Sequence, residues 1–127
     1  MPSFLFAYGT LAPADPETAL ASGWNADAVR GRLFDLGPFP ALVDLDDAEA
    51  PWIDGFVYSP VSEELIRRLD LYEGVDEGLY SRVAVTTQSG RSAWVYIYAR
   101  PLPSSAKGPL TRWNGPRIRL ESISHSD

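Results

Sequence analysis

Glu73 is the carboxylate best placed by spacing to do acid–base chemistry. It follows Leu69 by four residues and Leu65 by eight, so on a helix it shares their apolar stripe. It also falls in the last turn before Gly74, at the negative end of the helix dipole. Burial and the dipole both disfavour its charge. Both raise its pKa toward the range useful for a general acid or base. Spacing alone leaves two structural alternatives open: a carboxylate turned to solvent, or one paired with Arg82. Asp70, Asp76 and Glu77 are expected to be more exposed.

A second feature is Tyr8-Gly9-Thr10-Leu11, at the end of an apolar run. A glycine there lets a ligand approach the backbone closely, and successive N–H groups in such a turn can form an anion-binding nest. An ordinary strand-ending turn would look the same at this level.

Other chemistries are poorly provided for. The one histidine, His125, lies close to the end of the sequence, where chains fray, so a serine–histidine triad is not expected. There is no cysteine, hence no disulfide, thiolate nucleophile or zinc–sulfur site. Lys107 is the only lysine and sits in a loop-like Ser-Ser-Ala-Lys-Gly-Pro context, a poor place for a Schiff base. Asp44, Asp46, Asp47 and Glu49 could offer oxygen ligands to a hard cation, but without the glycine of a calcium loop they read as a solvated acidic loop. No glycine-rich phosphate loop follows a strand. No metal or other cofactor is therefore expected, and carboxylates and tyrosines remain as the acid–base groups.

These groups must be held by a chain of 127 residues, the size of one domain, expected to span 1–127. Apolar residues make up 45% and charged residues 22%, which suits a globular fold. A net charge of −6 makes nucleic acid and anionic membranes poor partners. Arg112, Arg117 and Arg119 are the only candidate basic patch, and a solvated tail accounts for them equally well. The absence of cysteine fits a reducing cytoplasm. No signal peptide is expected, because Phe4 to Ala7 is too short an apolar run, and no segment reaches transmembrane length.

The hydrophobic pattern predicts the elements. Ser3 to Tyr8 reads as an inner strand, with Phe4, Phe6 and Tyr8 on one face and Leu5 and Ala7 on the other. A short helical turn is expected over Glu17–Ala21. Further strands are expected over Ala28–Leu36, Ala41–Leu45 and Trp52–Tyr58, with a rigid Gly37-Pro38-Phe39-Pro40 turn. Ser59-Pro60-Val61-Ser62-Glu63-Glu64 reads as a helix start, with a cap residue, a proline in the first turn and early acidic residues. The helix should run to about Tyr72 or Glu73, with Leu65, Ile66, Leu69 and Tyr72 inward and Glu63, Arg67 and Asp70 outward. Tyr80–Thr87 and Ser92–Ala99 form a hairpin through Gln88-Ser89-Gly90. In its second strand Trp94, Tyr96 and Tyr98 share a face. From Arg100 onward the prolines and glycines predict irregular chain. The expected class is mixed α/β (α+β): a small, mostly antiparallel, closed or strongly curved sheet with helices against it.

Tyr8-Gly9-Thr10-Leu11 after an N-terminal strand, Leu69-Asp70-Leu71-Tyr72-Glu73-Gly74 and Leu79-Tyr80-Ser81-Arg82, in that order, resemble the gamma-glutamylcyclotransferase-like superfamily. The similarity is to its small gamma-glutamylamine cyclotransferase and avirulence-induced-gene-like branch. Gly37-Pro38-Phe39-Pro40-Ala41-Leu42 resembles that family's middle segment, and the motif-bearing part covers about residues 3–99. The resemblance implies a small β-barrel flanked by helices, with a cavity between the Tyr-Gly-Thr-Leu turn and the glutamate. It implies Glu73 as general acid/base and Tyr8, Gly9, Thr10 and Leu11 as the binding site for a glutamyl moiety. Tyr80 would line the same cavity. The implied reaction is attack of a gamma-glutamyl amide's own α-amine on its side-chain carbonyl, giving 5-oxoproline and a free amine. That chemistry needs no serine, cysteine or metal. Two alternatives stand beside it: a catalytically silent small-molecule-binding domain on the same fold, and an interaction module whose pocket is filled by Trp94, Tyr96 or Tyr98. The leaving amine and the oligomeric state are left open.

Overall fold

The computed structural model describes residues 2–13, 15–45 and 47–118. His125 and Arg119 lie outside the described residues, as does Asp46. The elements run β1 (Phe4–Ala7), α1 (Pro16–Ala21), β2 (Trp24–Arg30), β3 (Arg32–Asp35), β4 (Pro40–Val43), β5 (Trp52–Tyr58), α2 (Glu63–Tyr72), β6 (Tyr80–Thr86), β7 (Ser92–Tyr98) and β8 (Lys107–Leu110). A short 3₁₀ turn, Val75–Glu77, follows α2. The class is the mixed α/β one expected.

Strand β1 is at the centre of a five-stranded sheet ordered β2-β5-β1-β7-β6. Its pairing with β7 is parallel, and the other pairings are antiparallel. This is why both its faces are apolar. Leu5 and Ala7 join Leu65, Ile66 and Leu69 of α2 and Ala19 of α1 in one buried cluster. Phe6 and Tyr8 join Leu33, Leu42 and Trp113 in a second cluster, beneath the three-stranded sheet β4-β3-β8. Each large aliphatic side chain so buried contributes roughly 1.5–3 kcal/mol.

The single strand expected over Ala28–Leu36 is two, divided at Gly31. Strand β2 begins at Trp24 and pairs along its whole length with β5. At Gly31 the chain passes into the second sheet, where a Cβ would lie 2.8 Å from Leu42 Cδ1. The sheet curves until its edges meet at one corner. There the Gln88 N–H donates to the Ala28 carbonyl (2.8 Å). Beside it the Asp27 carboxylate accepts from Thr87 (2.7 Å), Ser89 (2.6 Å) and Arg91 (2.9 Å). The barrel-like shape is sealed at this corner rather than by a continuous ladder.

The region beyond Arg100 is more ordered than its prolines imply. Strand β8 pairs with β3 in spite of Pro109, which an edge strand tolerates. Trp113 is buried in the second cluster, and its Nε1 donates to the Pro116 carbonyl (2.9 Å). Arg117 is half-buried rather than part of a solvated tail.

Candidate active site

Helix α2 delivers Glu73. Ser62 caps its start by accepting from the Leu65 N–H (3.1 Å), and Glu63 and Glu64 in the first turn suit the positive end of the dipole. At the other end Gly74 takes a left-handed conformation (φ 66°), which ends the helix at low steric cost. Glu73 is the last residue before that stop, and its N–H donates to the Leu69 carbonyl (2.8 Å). Its side chain continues the Leu65–Leu69 stripe into a cavity of about 250 Å³.

The same cavity is lined by Tyr8, Gly9, Thr10, Leu11 and Tyr80, so these residues and Glu73 border one space. Phe39, Pro40, Leu79 and Tyr96 supply much of the remaining wall. Tyr96 forms part of that wall and does not fill the space. Tyr72, expected to face inward, is 45% exposed, so it borders the cavity from the solvent side.

Burial pushes the Glu73 carboxyl up to about 7. Among the described residues no donor reaches its oxygens, so no hydrogen bond offsets the partial loss of water at this half-buried position. The pairing with Arg82 left open by the sequence does not occur. Arg82 is held by Asp70 instead, at 2.9 and 3.2 Å, and stacks over the Trp94 ring at 4.2 Å. Asp70 therefore does not face solvent as its spacing implied. It tucks against β6 and β7, where it also accepts from the Tyr96 hydroxyl (2.7 Å).

Tyr8, Tyr80 and Tyr96 are committed donors. Tyr8 donates to the Tyr96 carbonyl and Tyr80 to the Pro40 carbonyl, each at 2.5 Å. Burial raises the pKa of Tyr8, Tyr80 and Tyr96 well above the ordinary tyrosine value. For Tyr8 and Tyr80 the nearby Glu73 adds to the effect. Glu73 is thus the group in this cavity that can exchange a proton near neutral pH.

The turn after β1 is held by an Ala12 N–H to Gly9 carbonyl bond (3.0 Å). Among the described residues the N–H groups of Gly9, Thr10 and Leu11 donate to no protein acceptor. The glycine has a different immediate cause from the one its sequence position implied. A Cβ on Gly9 would lie 2.6 Å from Pro40 Cγ, so the close approach is by the Pro40 ring.

Elsewhere, Asp44 and Asp47 both accept from Arg32 (3.1 and 2.8 Å). Among the described residues no three acidic or histidine side chains gather in a way that could hold a metal ion. No described helix is long and apolar enough to cross a membrane. Sequence reasoning placed Asp70 outward, although its i, i+3 relation to Glu73 sets it one turn from the cavity. It named Arg117 only as part of a basic patch, with no signal of its contacts to the Gly9–Pro13 turn.

The family described as gamma-glutamyl cyclotransferase, AIG2-like, matches residues 5–115. No curated protein matches significantly. Two solved structures are similar. One is YkqA from Bacillus subtilis, with 29% identity and a TM-score of 0.57 over 83% of this chain. This chain covers 39% of that protein's length. The other is an AIG2-like protein (GGACT) from Mus musculus, with 28% identity and a TM-score of 0.51, covering 80% of each chain.

Proposed function

The chain belongs to the AIG2-like gamma-glutamyl cyclotransferase family, and from that premise we propose that it cleaves a gamma-glutamyl amide by internal cyclisation. The observation that carries this reading is the partly desolvated Glu73 carboxylate, without a donor, in one cavity with the unpaired amides of Gly9, Thr10 and Leu11. A small molecule of amino-acid size suits its volume.

The substrate's α-carboxylate accepts from the turn's N–H groups, and Tyr8 and Tyr80 form the wall that folds the glutamyl chain back on itself. Folding brings the α-nitrogen to the γ-carbonyl carbon, and this proximity replaces a protein nucleophile. The Glu73 carboxylate takes one proton as that nitrogen attacks. The new C–N bond closes the five-membered ring, and the bond to the leaving nitrogen breaks. Glu73 returns the proton to that nitrogen, so 5-oxoproline and a free amine depart and the enzyme is unchanged. A carboxyl poised at about 7 suits both halves of the exchange. The chemistry uses no metal, and the cysteine-free chain suits the cytoplasm.

The test is release of 5-oxoproline from gamma-glutamyl peptides, an ε-lysyl crosslink and polyamine conjugates, with Glu73→Gln alongside. Failure of the wild-type protein to release it from any of them would leave the silent binding domain as the better reading.

A further inference from the structure

Arg117 belongs to none of the motifs above. Its Nη1 donates to the carbonyls of Ala12 (2.8 Å) and Pro13 (3.2 Å) and, at longer range, Gly9 (3.4 Å). Its Nη2 donates to the Trp113 carbonyl (2.5 Å). Among the described residues no carboxylate pairs with it. A half-buried guanidinium bound only to main-chain oxygens loses hydration without gaining an ion pair. Beside it, the Ile118 N–H donates to the Thr10 carbonyl (2.6 Å).

These contacts fix peptide planes. In a trans peptide the carbonyl and the following N–H point in opposite directions. The Gly9 carbonyl is drawn toward Arg117 and the Ala12 N–H, and the Thr10 carbonyl toward Ile118. The Thr10 and Leu11 N–H groups must then point away from the C-terminal segment. Thr10 and Leu11 both line the cavity that holds Glu73.

We propose that Arg117, with the Ile118 amide, clamps the outer side of the Gly9–Pro13 turn so that the Thr10 and Leu11 N–H groups are aimed at a carboxylate in the cavity. This rests on the reading of the turn as the carboxylate site. Arg117 touches no substrate and acts through the turn, so it is a positioning residue. It makes the segment after β8 part of the site.

The test is titration of the ¹⁵N-labelled protein with glutarate, a dicarboxylate that can bind without reacting. In the wild type, glutarate should move the Thr10 and Leu11 amide resonances. In Arg117→Met it should bind roughly tenfold more weakly, the scale of one lost charge-assisted hydrogen bond. Arg117→Lys keeps the charge but cannot span the same carbonyls, and should fall between the two. It carries the test if Arg117→Met does not fold. On a confirmed substrate, Arg117→Met should raise KM more than it lowers kcat. Equal glutarate affinity in the wild type and the folded variants would overturn the role of Arg117 and leave the carboxylate site standing. Unmoved Thr10 and Leu11 amides in the wild type would overturn both.

Discussion

The Tyr96 hydroxyl donates a 2.7 Å hydrogen bond to Asp70, whose carboxylate also holds Arg82. This ties α2 to the β6–β7 hairpin three residues before Glu73. The Tyr96 carbonyl in turn receives the Tyr8 hydroxyl. One tyrosine thus connects the helix that carries the carboxylate to the strand that carries the turn. Asp70→Ala should cost about 1–3 kcal/mol, because Arg82 loses its carboxylate in a half-buried setting. It should also lower turnover about tenfold by loosening Glu73, on a scale where roughly 1 Å of misplacement can cost 10²-fold. Denaturant melts and kcat measured together check this. Wild-type turnover in Asp70→Ala would detach the cluster from catalysis.

Glu73→Gln should keep the fold and lower kcat by roughly 10²–10⁴-fold, the usual worth of a general acid–base group. Gln fills the same space and cannot carry a proton. The wild-type rate should rise with pH through about 7 as the carboxylate forms, and this acid limb should vanish in the variant. Steady-state kinetics from pH 5 to 9 measures both.

The same carboxyl makes a stability prediction of opposite sense. Its folded pKa of about 7 lies above its ordinary 4.5, so between those values the folded state holds the extra proton. The stabilisation it contributes is complete below 4.5 and is lost as pH rises through about 7. Glu73→Gln should therefore match the wild type near pH 4 and exceed it by about 1–3 kcal/mol at pH 8. Equal melting curves for the two proteins at pH 8 would mean the carboxylate is better solvated than its setting implies.

Asp27 behaves in the reverse way. Burial works against its charge, but hydrogen bonds from Ser89, Thr87, the Ala28 N–H and Arg91 outweigh it and hold its pKa at about 2. Its contribution is present above the ordinary 3.8 and fades as pH falls through about 2. Asp27→Asn should lose about 2 kcal/mol at pH 7 and little at pH 2. Urea unfolding at the two pH values reads the difference.

Gly9→Ala should destabilise by about 1–3 kcal/mol, since its Cβ would meet Pro40 Cγ at 2.6 Å. Moving Pro40 also disturbs the carbonyl that holds Tyr80, so substrate affinity should fall too. A variant that melts and binds like the wild type would show that the ring moves aside freely.

Much of this was legible in the sequence where local pattern governs structure. Strand β5 and the body of helix α2 with its Gly74 stop lie where spacing places them, whereas Pro60, expected in the helix's first turn, precedes the Ser62 cap. Glu73 and the Tyr8–Leu11 turn meet in one cavity because a helical stripe and a strand end both face the same core. The rest depends on partners distant in sequence. Asp70 lies on a face that spacing assigns to solvent, and only β6 and β7 make that face an interior one. Strand β8 hides behind Pro109, because an edge strand pairs on one side and so tolerates a residue without an N–H. Arg117 binds carbonyls more than 100 positions away, for which no local pattern exists.

The three-stranded sheet has an outer strand at each side, β4 and β8, and each carries a proline: Pro40 opens β4 and Pro109 lies within β8. Proline supplies no N–H to a ladder. Strand β4 is buried against the rest of the fold, so β8 is the exposed side, and there a strand arriving from another molecule would find a gap in the row of donors. Pro109, one of the residues that make this part of the chain look irregular in sequence, thus disfavours edge-to-edge pairing at β8.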